Sequence, residues 1–165
     1  ERLDENGQGR CHTAWAFVAH RAVVDVDPDL GLVKVVQVAT AQDVGVALNP
    51  LSVVGQIEGG IAQGLGLAVM EEIVQIDGHI RNASFTDYLL PTMLDMPPVV
   101  AAIVEEPEPQ APLGAKGVGE PPCISVTPAI AAAIRDAVRQ AGRDPRTLNR
   151  VPVRPTDIVA CTPVR

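Results

Sequence analysis

Aromatic residues are almost missing: one Trp, one Tyr and two Phe make up 2% of 165 residues. Trp15, Phe17, Phe85 and Tyr88 leave little surface on which a base or another flat ligand can stack. Positive charge is scarce too, with 13 Lys and Arg against 20 Asp and Glu and a formal net charge of −7. That sign argues against nucleic acid and anionic membrane as partners. No apolar run approaches the ~20 residues that a bilayer demands, and no signal peptide is visible. Three cysteines, Cys11, Cys123 and Cys161, are too few and too scattered for an iron–sulfur cluster or a zinc site. Their odd number suits reduced thiols and a cytoplasmic setting. His12, His20 and His79 lie far from Cys123 in sequence, so a small buried filler is the better reading of that thiol than a nucleophile.

Glycine and proline, by contrast, are plentiful at 14 and 15 residues, beside a hydrophobic content of 47%. The length is one domain's worth and can bury a real core. The chain opens at Glu1 without a Met, which fits a cleavage product or a split subunit. Residues 1–15 read as a flexible junction to upstream chain. From Ala16 to Val26 and again from Leu32 to Ala41, β-branched residues thicken around the turn Pro28-Asp29-Leu30-Gly31, which predicts two antiparallel strands. On the second, Val33, Val35 and Gln37 fall on one face and Lys34, Val36 and Val38 on the other. His20 sits inside the first strand as a packed or half-exposed residue rather than a metal ligand.

Asn49-Pro50 is a helix start, with Asn as cap and Pro in the first turn. The helix runs to about Glu71 or Glu72 and carries Gly55, Gly59, Gly60, Gly64 and Gly66. Each costs about 1 kcal/mol relative to Ala in a helix interior, so something that comes close to the helix must offset them: another helix, or a ligand. Asp77-Gly78 marks a hairpin between Glu72 and Asn82. Val99 to Glu105 reads as a further strand, and Glu106 to Pro112 as a proline-spaced linker. Thr127-Pro128 repeats the cap-and-proline start of a helix over Ala129 to Ala141, closed by Gly142, with Ile130, Ile134 and Val138 inward. No internal repeat is visible. The class is α+β, with six or seven short antiparallel strands and hairpins, a glycine-rich helix and a second, C-terminal helix.

The densest signal is Gly-Ala-Lys-Gly-Val-Gly-Glu-Pro-Pro, Gly114 to Pro122. Glycines let the main chain approach a ligand, and the two prolines are expected to push Glu120 towards extended backbone. One carboxylate is thus presented in a stiff, glycine-lined loop. The alternative is an ordinary surface loop with a solvated Glu.

This string resembles the C-terminal active-site loop of the xanthine dehydrogenase family of molybdenum hydroxylases. Asn49-Pro50, followed by Gly55-Gln56-Ile57-Glu58-Gly59-Gly60 and Gln63-Gly64-Leu65-Gly66, is similar to that family's glycine-rich segment on the cofactor side. The likeness spans about Phe17 to Ile158. It implies that the chain is the last part of a larger molybdopterin-binding subunit. The implied reaction inserts water-derived oxygen into an electron-poor C–H bond of an N-heterocycle or aldehyde. Glu120 would be the general base, while Gln56, with an amide that both donates and accepts, and Gly119 would meet the pterin cofactor. Lys116 either orients the loop or is solvated. Glu58 and Gln63 read as polar positions on a buried helix, and no residue here reads as a metal ligand. The [2Fe–2S] and FAD groups of such enzymes would sit on other domains or subunits, in an oligomeric complex that takes a small-molecule substrate. Two further readings stand beside this one: a non-catalytic lobe that completes a partner subunit, and a free-standing small-ligand module.

Overall fold

The computed structural model describes residues 3–9, 12 and 14–164. Cys11 and part of the expected junction over residues 1–15 lie outside the described residues. Two strands open the fold, β1 (Val18–Asp27) and β2 (Leu32–Asp43), paired antiparallel as the sequence suggests. Their turn is closed by the Asp27 carboxylate, which accepts the N–H groups of Asp29 and Leu30 at 2.9 Å each. Gly31 ends it at φ +71° with its Cα pressed on the Pro155 carbonyl, where a methyl group would overlap. Arg143 binds the same turn from the far end of the chain, donating to Pro28 O at 2.6 Å and pairing with Asp29.

The expected alternation along β2 fails in one place. Register jumps from Val23↔Gln37 to Val24↔Val35, leaving Val36 as the extra residue of a β-bulge. The phase of the side chains resets there, so Val35 and Val38 are both buried while Lys34 and Val36 are exposed. Beyond the bulge Thr40, Gln42 and Asp43 are buried as well.

Helix α1 (Pro50–Val69) begins where expected, with Asn49 Oδ1 accepting the Ser52 N–H at 3.1 Å. A small hairpin follows, β3 (Gln75–Ile76) and β4 (His79–Ile80), turned by Asp77 at φ 51° and Gly78 at φ 76°. The next strand, β5 (Val99–Val104), pairs with β2 in parallel, giving the sheet order β1-β2-β5. This departs from the antiparallel expectation. A parallel return needs a long crossover, and the segment holding α1 and the small hairpin supplies it.

After β5, a short helix α2 (Pro121–Ile124) runs almost directly into α3 (Val126–Gln140), with Ser125 between them. Helix α3 therefore starts earlier than the Thr127-Pro128 signal suggests. The Thr127 hydroxyl serves instead as a strut, donating to the Gly64 carbonyl of α1 at 2.8 Å. Gly142, at φ +74°, closes α3 as expected: its N–H bonds Arg139 O, and the Arg143 N–H bonds Val138 O. Those two bonds define a Schellman ending. The last helix among the described residues is α4 (Pro155–Val159).

Helices α1 and α3 lie against the sheet, and the core is one cluster between them. It includes Val35 and Val38 from β2, Ile57, Ile61 and Leu65 from α1, and Val126, Ile130, Ile134 and Val138 from α3. The α+β class holds, with two main helices and, among the described residues, five strands where six or seven were expected. No helix among the described residues is long and apolar enough to cross a membrane.

Candidate functional site

The loop after β5 is sewn to the connection between β2 and α1. Gly114 O accepts the Val46 N–H at 3.0 Å, and the Lys116 N–H donates to Val44 O at 2.9 Å. The opposing residue, Gly45, has φ +67° and lies so close to the Gly114 carbonyl that a side chain has no room. Side chains strengthen the seam. Lys116 Nζ reaches Asp43 Oδ2 at 2.7 Å, and the two side chains are only 7% and 8% exposed. Burial alone would raise the Asp43 carboxyl. The hydrogen bonds from Lys116 and from the Gly45 N–H, with the lysine's charge, hold it below the ordinary carboxylate value. Lys116 is therefore an internal ion-pair partner and not a solvated lysine.

From this seam the loop passes over the N-terminal half of α1. The flanks of Gly55 and Gly59 are open, as is that of Gly117. Gln56 stands between the two helix glycines, exposed, and its Oε1 lies 3.8 Å from where a side chain on Gly119 would begin. Two of the residues singled out in the sequence are thus neighbours, although one sits on α1 and the other beyond β5. Glu120 follows directly and is exposed. Its backbone is not extended, as its place before two prolines suggests, but helical at φ −90° and ψ −37°. Pro121 fits the first position of a helix because it has no N–H to lose there, and the Glu120 carbonyl takes the Cys123 N–H at 2.9 Å. The proline pair therefore begins α2 and makes Glu120 its cap residue.

Behind this edge the packing is tight. Pro122 is fully buried and comes within 2.6 Å of where a methyl on Gly60 would stand. Cys123 is half-buried, and burial, then the charge of Glu71, pushes its thiol up, which argues against a nucleophile. Ser125 Oγ bonds His20 Nδ1 at 2.7 Å, and Gln42 Nε2 lies 3.4 Å from His20 Nε2 and 2.6 Å from Thr40 Oγ1. This chain suits a neutral imidazole that donates to Ser125 and accepts from Gln42. Burial lowers the His20 pKa in agreement. Glu58 and Gln63 are exposed on α1. No group of three or more His, Cys, Asp or Glu side chains among the described residues is arranged to hold a metal ion.

Sequence alone does not single out Asp43, Thr40, Gln42 or the His20–Ser125 contact. The available signal was Asp43-Val44-Gly45 shortly before Asn49-Pro50: an acid and a glycine at the end of an apolar strand, where the chain leaves the sheet.

An open helix flank, Gly117 and Gly119 and one amide group thus meet at a single exposed edge. Residues 1–97, more than half of the chain, match the model of the molybdopterin cofactor-binding domain family, and the chain belongs to that family. The match includes Gln56 and stops before Gly119 and Glu120.

Similar proteins include the nicotine 6-hydroxylase large subunit of Paenarthrobacter nicotinovorans, 37% identical over 87% of this chain and 17% of that protein. A putative xanthine dehydrogenase molybdenum-binding subunit of Escherichia coli (strain K12) is 45% identical over 72% of this chain and 16% of that protein. Among solved structures, aldehyde oxidoreductase from Desulfovibrio gigas superposes with a TM-score of 0.80 at 31% identity, over 96% of this chain and 17% of that one. Quinoline 2-oxidoreductase from Pseudomonas putida 86 gives 0.78 at 36% identity, over 84% and 17%. The chain spans about one sixth of the length of these relatives.

Proposed function

We propose that this chain is the C-terminal part of the molybdenum-bearing subunit of a hydroxylase of the xanthine dehydrogenase type. Its substrate class is an N-heterocycle or aldehyde with an electron-poor C–H bond, and [2Fe–2S] and FAD groups sit on other domains or subunits. The observation that carries the reading is the meeting of Gln56, Gly119 and Glu120 at one open edge. When bound, the molybdenum group supplies the two-electron oxidation of substrate. Gln56 holds the pterin through its amide, and Gly119 keeps the adjacent backbone strip bare. Glu120 accepts a proton at a carboxylate oxygen, and the open flank of Gly117 leaves space for substrate beside it. The rest of the subunit completes the site.

Glu120→Gln in the complete enzyme tests the base. The substitution keeps size and hydrogen bonding but removes the carboxylate. Molybdenum content and fold are expected to stay intact while reduction of the centre by substrate falls at least ~10²-fold, the lower end for a positioned base. The acid limb of the pH–rate profile is expected to flatten in what remains. More than about a tenth of the wild-type rate would make Glu120 an ordinary loop residue. A purified complex without molybdenum would favour a purely structural lobe.

A further inference from the structure

Polar contacts tie the span from Lys116 to Pro122 near its two ends, and between them Val118 packs against the core. Gly117, Val118 and Gly119 make no backbone hydrogen bonds among the described residues. At one end Pro122 is wedged against Gly60 of α1. At the other, the Lys116 ammonium is fixed to Asp43, whose remaining oxygen takes the Gly45 N–H at 3.1 Å and whose own N–H bonds Phe17 O at 2.9 Å. Asp43 is therefore locked into the end of β2, and its charge acts beside the backbone bond from the Lys116 N–H to Val44 O at 2.9 Å to fix where the loop departs.

For stability alone such a pair has little advantage. Desolvating two charges consumes most of what their attraction returns, and neutral side chains of similar size commonly serve as well. Direction is what an ion pair adds, because an apolar contact can slide and a hydrogen-bonded pair of opposite charges cannot.

We infer that Lys116 and Asp43 are positioning residues that aim the Glu120 carboxylate by fixing the sheet end of its loop. The catalytic part of this inference rests on the reading of Glu120 as base; the structural part does not. Small misplacements of a reacting group can lower a rate by ~10²-fold, so the pair should matter for turnover while touching neither cofactor nor substrate.

The test compares two variants in the assembled enzyme. Asp43→Asn leaves a buried ammonium without its counter-charge and is expected to accumulate poorly. The double variant Asp43→Asn/Lys116→Met removes both charges and is expected to regain wild-type thermal stability and molybdenum content. In that folded, loaded double variant kcat should fall ~10-fold or more with a smaller change in KM. Amide hydrogen exchange across residues 117–124 should also speed up relative to that of α1. Wild-type kcat and unchanged exchange would overturn the inference. So would a double variant that does not fold, since the pair would then serve the fold itself. Glu120→Gln run in parallel separates the two claims. If it stays active, the base assignment falls and exchange alone judges the positioning. If it is inert while the double variant behaves as wild type, the base stands and the positioning falls.

Discussion

In the C-terminal half of α1, Gly60 and Gly64 are buried under Pro122, Cys123, Val126 and Thr127, and Gly66 lies under the Glu71 side chain. In the N-terminal half, Gly55 and Gly59, which flank Gln56 in sequence, face open space. The same residue therefore does two jobs in one helix. In the packed half, glycine lets α2 and α3 approach the α1 backbone. In the open half no described atom of this chain fills the room, so nothing within the chain offsets the conformational cost of glycine. That contrast is the argument for a cofactor or a further stretch of polypeptide along the first half only.

The contrast can be broken most forcefully at Gly64. A methyl there overlaps the Val126 side chain and crowds the Cys123 carbonyl, and both belong to rigid, packed elements. Gly64→Ala should destabilise the folded subunit by about 1–3 kcal/mol, read as a shift of the denaturant midpoint. A neutral effect would mean that the helices are looser than they stand here.

On the open half the sign should reverse. Gly59→Ala meets nothing and removes backbone entropy from the unfolded chain, so stability should rise by about 0.5–1 kcal/mol. Cofactor retention should fall, as it should for Gln56→Ala, when molybdenum and pterin are measured per subunit. Full retention in both variants would leave the open flank without a function.

The smallest effect concerns the packed side and its dependence on pH. His20 supports the junction of α2 and α3 through Ser125, and its folded pKa lies below the ordinary 6.5. The unfolded chain then binds the proton more readily than the folded one. The stabilisation is complete above pH 6.5 and is lost as pH falls through the depressed value. His20→Gln should flatten that part of the stability–pH curve. An unchanged slope would place the titrating group elsewhere.

Local chemistry was legible in the sequence. The Asn49-Pro50 start, the Asp77-Gly78 turn, the Gly142 ending and the inward face of Ile130, Ile134 and Val138 all depend on residues close to one another, and all are present. What depends on distant partners was not. No residue near Val36 announces a bulge, because register is a property of two strands. The crossover that makes β5 parallel is visible only once α1 has a place to pack. The Glu120 backbone followed the preference of proline for a helix start over its effect on the residue before it, and the α1–α2 contact at Pro122 favours that outcome. Lys116 could not be read as buried without knowing that Asp43 faces it. Likewise, Gln56 and Glu120 could be marked separately, but only the fold brings their segments to one edge.

The tie between Arg143 and the turn at Pro28 and Asp29, backed by Gly31 against Pro155, has a consequence for chain topology. The bond joins residues 114 positions apart, and everything that forms the open edge, from Asp43 to Ser125, lies inside the loop so closed. A closed loop has fewer conformations than a free chain of the same length, and the restriction grows only slowly with its size. Unlike a covalent link, this tie adds no restraint once the chain unfolds; while it holds, the segments bearing Gln56 and Glu120 cannot drift apart as two free ends. The open edge thus keeps the ends of its loop together even where the Lys116–Pro122 span has few backbone bonds of its own.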